Sequence, residues 1–136
     1  MNGSVDLSVR MGSLTFRNPF IVGSGPTTKT VDQIRAACDS GWAGAALKLA
    51  IHPRPYLSLP PRYRWLRKEK YHIFTAEERL TADEALALVE ESRRAVNDFA
   101  IIPNITYDGE DFEGWGLLTK RFEDAGAHAV ELNMCC

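Results

Sequence analysis

Residues 20–26 read Phe20-Ile21-Val22-Gly23-Ser24-Gly25-Pro26: an apolar run, two glycines around a serine, then a proline. An unbroken apolar run ending in small residues suits a strand covered on both faces, as in a parallel sheet. An open doubly wound sheet would place a longer glycine fingerprint here, opening straight into a helix. Gly23-Ser24-Gly25 is too short for that fingerprint, and Pro26 keeps a helix from starting at this point. The stretch therefore favours the other parallel architecture, an eightfold (β/α) barrel.

Working outward, Leu7–Met11 and Leu14–Phe16 alternate apolar and polar around Gly12-Ser13, which predicts a short hairpin within residues 5–17. Downstream, Thr30 and Gln33 have capping-box spacing, Val31, Ile34 and Cys38 mark a buried helical stripe, and Gly41 suits its stop. Trp42–Leu49 is a second apolar strand with one charge, Lys48. Residues from about 51 to 75 break the rhythm: Pro53, Pro55, Pro60 and Pro61 argue against a regular ladder, and the charges are mostly basic, so an inserted loop is expected. Thr81 and Glu84 open a second helix with Leu86, Val89, Arg93 (through its stem) and Val96 inward. Ala100–Thr106 is a third strand. Asp108-Gly109 leads to a third helix with Trp115, Leu118, Phe122 and Ala125 on one face and Gly126 at its end. Ala129–Met134 is a fourth strand. One α/β domain over 1–136 is expected: a hairpin, then four strand units over 18–136, the N-terminal half of a TIM (β/α)8 barrel.

The composition fits a globular domain, with 136 residues, 45% hydrophobic and 25% charged. A formal net charge of -2 argues against nucleic acid as the main partner. Arg54, Arg62, Arg64, Arg67, Lys68 and Lys70 are interleaved with Tyr56, Tyr63, Trp65 and Tyr71, which reads instead as a lid or a docking surface. No apolar run reaches the roughly 18 residues of a membrane span. Met1–Asp6 lacks the character of a signal peptide. The 3 cysteines make no disulfide framework, so the cytoplasm is the expected compartment. No metal-type spacing joins them to His52, His72 or His128.

In a (β/α) barrel the reacting groups come from the C-terminal ends of strands. Those ends carry Gly23-Ser24-Gly25, then Lys48, then Asn104 and Thr106, then Asn133, Cys135 and Cys136. Gly23-Ser24-Gly25 reads either as a tight turn or as bare backbone against which a flat ligand can lie. Lys48, between Leu47 and Leu49, points away from the helix layer, and reads either as a snorkelling lysine or as a cation for a negative ligand. Asn104 either satisfies backbone groups beside Pro103 or faces a ligand. Asn133 suits a heterocycle that presents donor and acceptor edges. Cys38 reads as a small core hydrophobe, whereas Cys136, at a strand end, suits proton transfer.

These residues resemble the flavin-dependent dihydroorotate and dihydropyrimidine dehydrogenase family. Asn18–Pro26 resembles its first strand, Gly41–Lys48 its second, and Asp124–Cys136 its fourth, where the family usually writes E-L-N-L-S-C-P-N. The resemblance spans nearly the whole chain and is closer to the dihydropyrimidine dehydrogenase branch. It implies an FMN cofactor on Gly23, Ser24, Gly25, Lys48 and Asn104. It also implies a pyrimidine-like substrate on Asn133 and Cys136 as catalytic acid/base. It further implies an FAD- and iron–sulfur-containing electron-transfer partner, and an oligomer at full length. Two departures stand out. No asparagine occurs between Ala50 and Leu80, where the family brings one to the pyrimidine. The family runs to a complete barrel, so a truncated chain, inactive alone, is expected. Two other readings remain: a non-flavin barrel lyase forming a Schiff base on Lys48, and a non-catalytic half-barrel that binds a partner.

Overall fold

A computed structural model describes residues 5–52, 63–74 and 78–134. In chain order, β1 (Val9–Met11) and β2 (Leu14–Phe16) form the N-terminal hairpin, with Met11 opposite Leu14. Next come β3 (Ile21–Val22), α1 (Val31–Asp39), β4 (Gly44–Ala46) and β5 (Ala50–Ile51). A second hairpin, β6 (Tyr63–Leu66) with β7 (Tyr71–Phe74), precedes β8 (Leu80–Thr81) and α2 (Ala82–Ala95). The rest is β9 (Ala100–Ile102), β10 (Asn104–Thr106), α3 (Phe112–Asp124) and β11 (Glu131–Leu132).

The capping boxes form as the spacing predicts. The Thr30 hydroxyl accepts the Gln33 N–H and the Thr81 hydroxyl accepts the Glu84 N–H, each with the reciprocal side-chain bond. Past the ends of α1 and α3, Gly41 (φ 92°) and Gly126 (φ 95°) take the left-handed conformation that stops a helix cleanly. Asp111 rather than Asp108 caps α3, accepting the Gly114 N–H.

All pairings among β3, β4, β5, β8, β9, β10 and β11 are parallel. The second and third predicted strands are each split in two. β9 gives way to β10 at Pro103, which has no N–H for the ladder. Between β4 and β5 the Leu47 N–H still reaches Ile102 O at 2.8 Å. Ala46 is opposite Ile102 but Ala50 is opposite Ile105, so strand two carries one extra residue between those pairs. That is a β-bulge, and Lys48 lies inside it.

Joining the pieces gives a sheet whose parallel strands neighbour one another in chain order: β3, then β4/β5, then β9/β10, then β11. A doubly wound sheet reverses direction partway; here only the two-residue β8 departs from chain order, pairing with β5 on the side away from β10. The architecture is α/β with parallel sheets, compatible with half a barrel. The sheet is open, with β3 and β8 along one end, β11 at the other, and no closure among the described residues.

Its core lies between sheet and helices, where Ala45, Leu47, Ile101 and Ile105 meet Ile34, Val89, Leu118 and Phe122. Phe16 from the hairpin packs with Ala43 and Ile102, flanked by Ala100 and Ala129, covering the other face near the strand beginnings. Cys38 is partly buried against the helix-side core, as expected.

Two expectations need correction. The insertion is not wholly a loop: its prolines lie outside the described residues, and the proline-free segment beyond them forms β6 and β7, with Trp65 paired to His72. The buried face of α2 is also wider than the predicted stripe. It includes Ala82, Ala85, Leu88, Val89 and Ser92, because α2 packs on the sheet and contacts both α1 and α3. Leu86 is only partly buried, and exposed Arg93 reaches His128 instead of lining the core. No helix among the described residues is long and apolar enough to cross a membrane.

Candidate functional site

The strand order carries the C-terminal ends of the parallel strands to one edge of the sheet. After β3, Gly23 and Ser24 are exposed and Gly25 is half-buried. Neither glycine is required by packing. A Cβ at Gly23 would meet nothing within 4 Å, and one at Gly25 only Gly23 O at 3.9 Å. The backbone of this turn is therefore open to a flat ligand.

Lys48 is half-buried between Leu47 and Leu49, which are both almost fully buried. Leu47 packs in the helix-side core, whereas half-buried Lys48, inside the bulge, is not part of it. Strand alternation sets Asn104 on the face opposite its neighbour Ile105, which is in that core. The Lys48 N–H donates to Thr28 O at 2.9 Å, tying the bulge to the segment that follows β3.

Asn104 is 2% exposed, and its Oδ1 accepts from Asn133 Nδ2 at 3.3 Å. Asn133 is held in turn by its own N–H on Ile105 O at 2.8 Å. Two amides from neighbouring strands thus present a paired polar edge beside the buried Thr106. A carboxamide pair of this kind can orient a ring that carries both donors and acceptors. Gly25, Thr28 and Lys48 form one connected group, and Asn104 and Asn133 form another, on the same sheet edge. Cys136, and Cys135 before it, lie outside the described residues.

Sequence reading missed several residues at this edge. Thr28 is fully buried. Its only sequence signal is a hydroxyl three residues after a glycine. His52 and Tyr107, each one residue beyond a strand end, stack with ring centroids 5.1 Å apart. Tyr107 also contacts Trp115, whose Nε1 donates to Asp108 O at 2.8 Å. In the basic segment, Trp65 and His72 lie ring to ring at 4.6 Å.

Toward the opposite end of the sheet, His128 Nδ1 accepts the Ile101 N–H at 2.9 Å, and Nε2 faces Arg93 Nη1 at 2.6 Å. Burial, then the charge of Arg93, holds this imidazole below its ordinary pKa. No group of His, Cys, Asp and Glu among the described residues is arranged to hold a metal.

No protein-family model matches the chain. Individual proteins do. Over 96% of its length it is 28% identical to the chloroplastic dihydropyrimidine dehydrogenase (NADP(+)) of Arabidopsis thaliana. It is 29% identical, again over 96%, to the NAD-dependent dihydropyrimidine dehydrogenase subunit PreA of Escherichia coli. The chain resembles dihydropyrimidine dehydrogenases. It spans about a third of the length of the curated relatives it matches, 33% and 32%. The resemblance read from the strand-end motifs thus extends through the helices and crossovers between them.

Proposed function

We propose that this chain is the N-terminal half of an FMN-dependent TIM-barrel oxidoreductase acting on the CH–CH bond of a dihydropyrimidine-like ring. One observation carries the reading. In a parallel sheet where β3, β4/β5, β9/β10 and β11 follow chain order, the open Gly23–Gly25 turn, Lys48, Asn104 and Asn133 lie along one C-terminal edge. That edge is where barrel enzymes keep their chemistry. The similarity to dihydropyrimidine dehydrogenases supports the substrate class.

The donor set fits a flavin. Small residues leave backbone free for a flat ring, and a half-buried cation and a buried amide stand beside them. Bound there, FMN would supply the two-electron redox chemistry. The chain's own residues have separate tasks. Gly23, Ser24 and Gly25 carry the ring on their backbone. The Lys48 ammonium stabilises negative charge on the bound ligand. Asn104 completes the cofactor side and keeps Asn133 oriented, and Asn133 grips the pyrimidine edge. Cys136 Sγ gives or takes the proton on the substrate ring carbon, as general acid or base.

The Escherichia coli relative is named a subunit, which supports an electron-transfer partner for the full-length protein. That partner would carry FAD and iron–sulfur groups, as the family resemblance implies.

The test is Cys136→Ala in the full-length protein. Turnover should fall about a hundredfold or more, the scale of a lost general acid, while the flavin stays bound. Near-normal turnover would refute the assignment. Borohydride trapping of a substrate carbonyl on Lys48 would support a Schiff-base lyase instead.

A further inference from the structure

We infer that Thr28 is a positioning residue, which fixes the Gly23–Gly25 turn and Lys48 at one separation so that two strands grip a flat cofactor together. This deepens the flavin reading above and rests on it. Thr28 sits in the connection between β3 and α1 and is 0% exposed. Each of its polar groups is committed to one of the two candidate segments. Its hydroxyl accepts the Gly25 N–H and donates to Gly25 O, both at 3.2 Å. Its own N–H also donates to Gly25 O, at 3.3 Å. Its carbonyl accepts the Lys48 N–H at 2.9 Å.

Each bond has a distinct physical consequence. The hydroxyl closes the glycine turn, which contains residues with little conformational restraint of their own. The carbonyl satisfies an amide inside the bulge, where a regular partner on strand one is missing. Buried donors left without partners are costly, so this wiring is expensive to rearrange. A shift of the turn is thereby transmitted to Lys48, and the reverse also holds. Valine matches threonine in shape but removes the hydroxyl, and serine keeps it.

The experiment compares wild type, Thr28→Val and Thr28→Ser in the full-length protein, with two readouts. The first is hydrogen exchange, followed by mass spectrometry on the cofactor-free protein, of peptides covering residues 24–30 and 46–50. The second is titration with FMN well below the melting temperature, followed by flavin fluorescence. Thr28→Val should speed exchange in both peptides about tenfold and weaken FMN binding about tenfold, the scale of one lost bond to a buried amide. Peptides from α3 should be unchanged, and Thr28→Ser should stay within about threefold of wild type.

A Thr28→Val protein that melts earlier, yet binds FMN as tightly and exchanges Lys48 as slowly as wild type, would overturn the inference and leave the flavin reading standing. Wild type that binds no FMN would overturn both. If Thr28→Val does not fold, Thr28→Ser decides. Wild-type exchange and affinity in the serine variant support the hydroxyl's role, and loss of both contradicts it.

Discussion

His128 has a hydrogen-bond donor facing each ring nitrogen, the Ile101 N–H on one side and the Arg93 guanidinium on the other. Protonation would place a donor against a donor and a cation against a cation. Burial, then the charge of Arg93, holds its pKa below the ordinary 6.5. The unfolded chain then takes up this proton at a higher pH than the folded one, so stability rises with pH through that window. Unfolding midpoints should fall as pH drops from about 7 to 5. His128→Gln should flatten that part of the profile, and an unchanged slope would exclude His128 as its source. Arg17 and Asp98 line the same small recess and should be kept in both proteins. At this scale the sequence was partly legible. Lys48 and Asn133 could be singled out because a charge and an amide are conspicuous in apolar strands. The Thr28–Lys48 and Arg93–His128 contacts could not, because the partners are 20 and 35 positions apart and no local pattern records them.

Gly114 illustrates what single elements demand. A Cβ there would collide with the Tyr107 ring and lie 2.6 Å from Asp111 Oδ2. Glycine inside a helix costs about 1 kcal/mol relative to alanine, so in an exposed helix Gly114→Ala would be stabilising. Here the steric clash should win, destabilising the protein by about 1–3 kcal/mol. Denaturant unfolding measures it, and a stabilised variant would show that the Tyr107 ring is free to move. Element existence was readable where the signals are local: capping boxes at Thr30 and Thr81, glycine stops at Gly41 and Gly126. Other features depend on neighbours. Pro103 splits strand three, the bulge at Lys48 appears only when strand two is paired with strand three, and β6 and β7 follow a proline-rich stretch that masked their pairing. The breadth of α2's buried face reflects its place between α1 and α3, which periodicity alone does not report.

At the scale of the molecule, the sheet has two open edges, and both carry apolar side chains. Phe20 and Ile21 are 59% and 42% exposed on one side, and Leu132 and Met134 are 49% and 79% exposed on the other. Unpaired parallel edges with such residues tend to associate. The isolated 136-residue chain should therefore self-associate at micromolar concentrations, and Ile21→Lys should weaken that association about tenfold. Sedimentation analysis would contradict this if it found a monodisperse monomer. The chain-order sheet was foreseeable from the strand–helix recurrence and the short Gly23–Pro26 turn, whereas its pairing with β8 was not. The central claim is that the strand-end residues of this sheet hold a flavin beside a reducible ring. Anaerobic mixing of the purified full-length protein with a dihydropyrimidine, followed by flavin absorbance, tests it most directly. The account predicts a flavin that co-purifies with the protein and bleaches on mixing, much more slowly in Cys136→Ala. A full-length protein that carries and accepts no flavin, or whose flavin is untouched by any dihydropyrimidine, would contradict it.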